Sequence, residues 1–106
     1  MDTLAKIEQL RELAAADPGD YVTFFMLGAE EIHAGFYRDA VQSLERCLAL
    51  KPTHTAGVRM LGDAWRHLGD AAKAREYYER AIEVAEQTGD LQVAREARAF
   101  LRKMAA

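Results

Sequence analysis

The sequence predicts an all-α chain in which about six helices stack as antiparallel pairs into a solenoid. The first observation behind this is a repeat. "MLGAEEIHAG" (Met26 to Gly35) and "MLGDAWRHLG" (Met60 to Gly69) carry Leu-Gly, His and Gly in the same order. Gly28 and Gly62, His33 and His67, Gly35 and Gly69, and the only two prolines, Pro18 and Pro52, each stand 34 residues apart. A fixed period of ~20–50 residues marks an array of supersecondary units, none of which buries its apolar face alone. The second observation is spacing inside a period: Val58, Leu61, Gly62, Trp65 and Leu68 fall at i, i+3, i+4, i+7 and i+10, as on one side of a helix.

The elements follow in order. Residues 1–20 read as the second half of a unit, with Leu4, Ile7, Leu10 and Leu13 as the buried stripe and Pro18 as terminator. Residues 21–54 form a full unit: a helix from Tyr21 to Ala34, a turn at Gly35, and a second helix burying Ala40, Val41, Leu44, Cys47 and Leu48. Pro52 stops that helix, because it has no N–H to donate and disfavours a helical residue before it. Residues 55–88 repeat the plan, with Gly69 at the turn, Asp70 as cap, and Ala74, Tyr77, Tyr78, Ala81 and Ile82 facing inward. Glu86 stands where the proline would recur, so this helix is expected to run on to about Thr88. Residues 89–106 read as a capping helix with Ala94, Ala97, Leu101 and Met104 on one face and Arg95, Arg98, Arg102 and Lys103 largely elsewhere.

Composition narrows the function classes. With 106 residues, half of them hydrophobic and 29% charged, one domain is expected. The apolar runs are too short to cross a bilayer, and "MDTLAKIEQL" lacks the basic start and apolar core of a signal peptide, so a cytoplasmic chain without membrane contact is expected. A single cysteine, Cys47, allows no internal disulfide and no thiolate metal cage. A net charge of -3 gives no reason to expect nucleic acid, whose phosphates are bound by clustered Lys and Arg. The basic run on the last helix is diluted by Asp90 and Glu96, with no interleaved aromatic for base stacking.

The repeat resembles the tetratricopeptide family, a 34-residue helix–turn–helix with an aromatic-x2-Leu-Gly-x2-aromatic signature followed by Ala, a large residue and Pro. The first copy supplies Phe24, Leu27, Gly28, Ala40, Leu44 and Pro52; the second supplies Val58, Leu61, Gly62, Trp65, Ala74, Tyr78 and Ala81. It departs at Glu31, where an aromatic is usual, at Cys47, where Ala is usual, and at Glu86. The resemblance implies a right-handed superhelix whose first helices line a concave surface that binds protein segments. That surface would carry Val22, Phe25, Met26, Ala29, Ile32 and His33 from the first copy, and Arg59, Met60, Asp63, Arg66 and His67 from the second. Some members hold a C-terminal carboxylate with Lys and Asn at positions that here are Phe25, Ala29 and Met60, so that mode of recognition is not expected.

Two readings of the helix 21–34 stand side by side, because it is apolar on two sides. Either Phe25, Met26, Ile32 and Met60 floor a groove for another protein, or the face is covered by the N-terminal helix or by a second copy in a homo-oligomer. Arg59 and Asp63 read as a surface i, i+4 pair, leaving Arg66 and His67 free for an acidic group. No cofactor, metal or catalytic role is expected: His33 and His67 lack a third ligand, Cys47 falls at a packed position, Glu30 and Glu31 diverge, and His54 reads as a solvated loop residue.

Overall fold

Five helices start on a side chain that accepts a hydrogen bond from a first-turn N–H: Asp2, Asp20, His54, Asp70 and Asp90. Each satisfies a donor that the helix itself cannot pair, typically worth ~1 kcal/mol. Three turns close on glycines in the left-handed region, Gly35, Gly69 and Gly89, with φ of 83°, 84° and 80°. A Cβ there would be strained even though nothing lies nearby.

The computed structural model describes residues 2–106; Met1, the first residue of the expected unit 1–20, lies outside them. The helices are α1 (Thr3–Ala16), α2 (Tyr21–Ala34), α3 (Tyr37–Leu50), α4 (Thr55–His67), α5 (Ala71–Thr88) and α6 (Leu91–Ala105). Starts at 3, 37 and 71, and at 21 and 55, keep the 34-residue period. Each helix packs on the next; in addition α2 packs on α4 and α4 on α6, whereas the backbones of α1, α3 and α5 do not approach one another. Thus α2, α4 and α6 form an inner layer and α1, α3 and α5 an outer one. The longest dimension, 40 Å, exceeds any single helix, since even the 18 residues of α5 span only ~27 Å, so it runs along the stack.

The core lies between the layers. Ala40, Leu44, Val58, Leu61, Ala64, Ala74, Tyr78, Ala81, Ala85 and Ala97 are fully buried there. The Leu-Gly repeat explains how the paired helices come so close. A Cβ on Gly28 would stand 2.6 Å from Leu44 Cγ, and one on Gly62 would stand 2.6 Å from Tyr78 Cε1.

The expected stripe of α1 is corrected. Ile7 and Leu10 are buried with Ala14, but Leu4 and Leu13 are 59% and 51% exposed. Steps of three residues turn back by about 60° each, so four such positions spread over half the helix. Helix α1 packs only on α2, which covers the middle of that arc. On α6, Ala94 and Ala97 are buried as expected, joined by Val93, while Phe100 packs partly on the core beside Leu101 and Met104.

Gly62→Leu is expected to lower the melting temperature by ~5–20 °C in a calorimetric scan, because overpacking costs ~1–3 kcal/mol and each is worth several degrees in a domain of this size. Deleting residues 91–106 should leave a chain that binds a hydrophobic dye and aggregates, since Tyr78 loses the stacked Phe100 ring, 5.2 Å away, and its apolar cover. A truncated monomer melting like the parent would show α6 to be a tail.

Candidate functional site

Helix α2 leaves apolar side chains uncovered on the inner layer. On α2, Val22 and Met26 are 44% and 48% exposed and His33 is exposed. Phe25, Ala29 and Ile32 are half-buried, with Phe25 and Ile32 packed on the core cluster together with Met60. Of the four residues expected to floor a groove, only Met26 is therefore freely exposed. A groove of about 470 Å³ lies between Lys6, Gln9 and Leu10 of α1 and Phe25, Met26, Ala29 and Glu30 of α2. Its α1 wall is not evident from the α2 sequence pattern, because α1 enters only through tertiary packing.

The α4 half of the inner face is closed by its own polar network. Arg59 Nη1 donates to Asp63 Oδ2 at 2.7 Å and its Nε lies 3.2 Å from Glu96 of α6. Tyr78 donates its hydroxyl to Asp63 Oδ1 at 2.5 Å and accepts from Arg66 Nε at 3.1 Å. The Arg66 guanidinium also lies 4.8 Å over the Phe100 ring. The pair read as superficial is thus largely buried, with 19% and 14% side-chain exposure, and Arg66 is engaged rather than free. Desolvation, and then the bond to Asp63, push the Tyr78 hydroxyl well above the ordinary tyrosine range, which keeps it a donor. His67 remains exposed but stacks on Tyr37, centroids 4.6 Å apart.

Two residues take roles that sequence reasoning missed. His54 is not a solvated loop residue. Its Nδ1 accepts from Gly57 N–H at 3.0 Å to cap α4, and its ring packs on Phe25, centroids 4.5 Å apart, and on the edge of Tyr21. Burial lowers its pKa, favouring the neutral ring that the cap requires. Glu31, 2% exposed, accepts from Ser43 Oγ at 2.6 Å and from Arg11 Nη2 at 3.2 Å, tying α1 and α3 to α2. Burial raises its pKa against the opposing pull of Ser43 and Arg11. The available signal was Glu31 itself, 34 residues before Trp65 and so at an inward position.

Among the described residues, no three His, Cys, Asp or Glu side chains gather in a way that could hold a metal ion. The Cys47 thiol is fully buried and its pKa is raised by that burial, which disfavours the thiolate that chemistry would need. No described helix is long and apolar enough to cross a membrane.

The tetratricopeptide repeat model matches residues 57–88, the helix pair α4–α5 with its Gly62–Tyr78 contact. The TPR repeat-containing protein PA0015 of Pseudomonas aeruginosa is 35% identical over 98 residues, covering 92% of this chain and 93% of that protein. This chain belongs to the tetratricopeptide repeat family. The solution structure of protein BPP2914 from Bordetella parapertussis superposes with a TM-score of 0.83 at 29% identity, over 93% of this chain and 86% of that one. A crystal structure of MamA, 22% identical, shares the fold with a TM-score of 0.72 over 93% of this chain and 64% of its own. Family and fold together mark the chain as a right-handed α-solenoid of the protein–protein interaction class.

Because folding raises the Glu31 pKa, the unfolded chain gives up this proton first, and the native state holds more protons between the two values. Stability then falls as pH rises from about 4.3, the ordinary Glu value, through the raised native one. Wild type should lose stability relative to Glu31→Gln over that window in thermal melts. A constant gap would show that Arg11 and Ser43 fully offset burial.

Proposed function

We propose that this chain is a non-enzymatic cytoplasmic adaptor that seats a segment of another protein on the inner face of its helix stack. In this reading residues 1–20 are a half-repeat, 21–54 and 55–88 are repeats, and 89–106 are a cap. The observation that carries it is the bare stripe on α2, Val22 and Met26, one turn apart and beside the 470 Å³ groove. Apolar side chains left uncovered in a row beside a concavity are what interaction surfaces consist of. Met26 supplies an adaptable contact, while Lys6 and Glu30 at the rim add one charge of each sign for orientation.

The weight falls on α2 and not on α4. Val22, Phe25, Met26, Ala29 and His33 border the open surface, whereas Arg59, Asp63 and Arg66 spend their hydrogen bonds inside the protein. His67 and Met60 extend the surface toward the second repeat.

Met26→Lys with Val22→Glu changes only exposed side chains, so the stability should stay within ~1 kcal/mol of wild type, at ~0.5 kcal/mol for each substitution. Capture of a partner from cells of the source, followed by crosslinking mass spectrometry, should place the contact on α2 in wild type and lose it in the double variant. Undiminished capture by a folded double variant would overturn the reading. Light scattering during size-exclusion chromatography separates this from self-association, in which the wild type would be a dimer and the variant a monomer.

A further inference from the structure

We infer that the groove between α1 and α2 is a helix slot of the repeat that the described residues leave unfilled, which takes one amphipathic α-helix of a partner protein, parallel to α2, with a Gly against Leu10. This rests on the adaptor reading above and names the conformation and face of the segment bound.

The 34-residue register places the slot. Lys6, Gln9 and Leu10 stand one period before Ala40, Ser43 and Leu44 of α3; Met26, Ala29 and Glu30 stand one period before Met60, Asp63 and Ala64 of α4. The space bordered by that second set is not empty. Helix α2 lies in it, with Gly28 pressed on Leu44 and Glu31 bonded to Ser43. One period later α4 lies against α5 and α6, with Gly62 pressed on Tyr78. Leu10 is thus the third member of a series whose other two, Leu44 and Tyr78, each receive the glycine of an inner helix. An occupant in the same register would set a glycine on Leu10 and, three positions on, a polar side chain against the Gln9 amide.

The occupant is a foreign helix and not a second copy. The inner helix that a copy could offer in a head-to-tail stack is α6, and the residue there at the position of Gly28 and Gly62 is Glu96. A Cβ at that position already collides with the facing Leu or Tyr, so a longer, charged side chain held 3.2 Å from Arg59 cannot seat on Leu10. Apolar exposure continues along both walls of the slot: Leu13 is one turn from Leu10 and Val22 one turn from Met26, and both are exposed.

The test supplies the missing helix in cis. A copy of residues 20–35, which spans α2 with its Asp cap and turn glycine, is joined directly ahead of Asp2 of the full chain, so that the period of 34 is kept. The fused chain is expected to remain monomeric, to melt ~5 °C or more above the parent, and to shift the Met26 and Leu10 methyl resonances; Gly28→Leu in the added copy should cancel all three effects. An acetylated peptide of residues 20–35 added to the unmodified chain should move the same methyls, and its Gly28→Leu form should not. Unchanged melting and methyl signals with the fused helix would overturn the slot while leaving the adaptor reading to its own test. A parent chain that dimerises through Met26 would overturn the foreign-helix assignment. Undiminished partner capture by a fused chain whose helix has seated would overturn both readings.

Discussion

The contact between a glycine on an inner helix and a bulky side chain on its outer partner sets the dimensions of the whole stack. Gly28 meets Leu44 and Gly62 meets Tyr78 at distances that leave no room for even a methyl group. Interaxial distance depends on the side chains at the crossing, and fixing it at these two points brings Ala40, Ala74 and Ala81 into a fully buried seam. Because the two contacts are one period apart, the second pair is placed as a copy of the first, and the inner helices come near enough to touch.

Where the bulky partner is a tyrosine, the same contact acquires a polar end. The Tyr78 hydroxyl reaches past Gly62 to Asp63 and Arg66, and Asp63 in turn holds Arg59. Helix α6 completes the arrangement with Phe100 stacked on Tyr78 and Glu96 beside Arg59. This closes the inner face of the second repeat. In the first repeat the partner is Leu44, which has no hydroxyl, and its polar contact is made instead by Glu31 with Ser43 and Arg11 on the outer side. The difference leaves Val22, Met26 and Ala29 without such a network over them, and gives the described stack one open, largely apolar end and one polar, closed end.

Glu31 shows how a departure from the family pattern is accommodated. A carboxylate at a position where an aromatic is usual would be costly if unpaired, and Arg11 of α1 and Ser43 of α3 supply its partners. The same side chain therefore joins three consecutive helices. Helix α1, which has only α2 as a packed neighbour, gains through Arg11 a second attachment that its short apolar stripe alone would not provide. A further ion pair from Arg11 to Asp39 at 3.5 Å extends the tie to the start of α3.

The sequence by itself determined the helices, the span of α2, the end of α5 and the helix pairing, because a 34-residue period, helical spacing of apolar residues, turn glycines and the prolines are read without knowing what lies opposite. It also showed that Leu-Gly recurs at Gly28 and Gly62 and that α2 is apolar on two sides. Tertiary structure alone decided which of those apolar side chains stay bare. Phe25 was drawn half into the core by His54, a residue that looked solvated because its ring partners lie on α2, far away in sequence. Leu4 and Leu13 fell outside the arc that the one neighbour of α1 covers. Arg59, Asp63 and Arg66 looked available on a helical wheel, yet Tyr78, Glu96 and Phe100 reach them from α5 and α6. Periodicity reports which side of a helix a residue is on; whether that side meets a neighbour depends on how many helices the stack supplies at that point, and only the packed chain settles that.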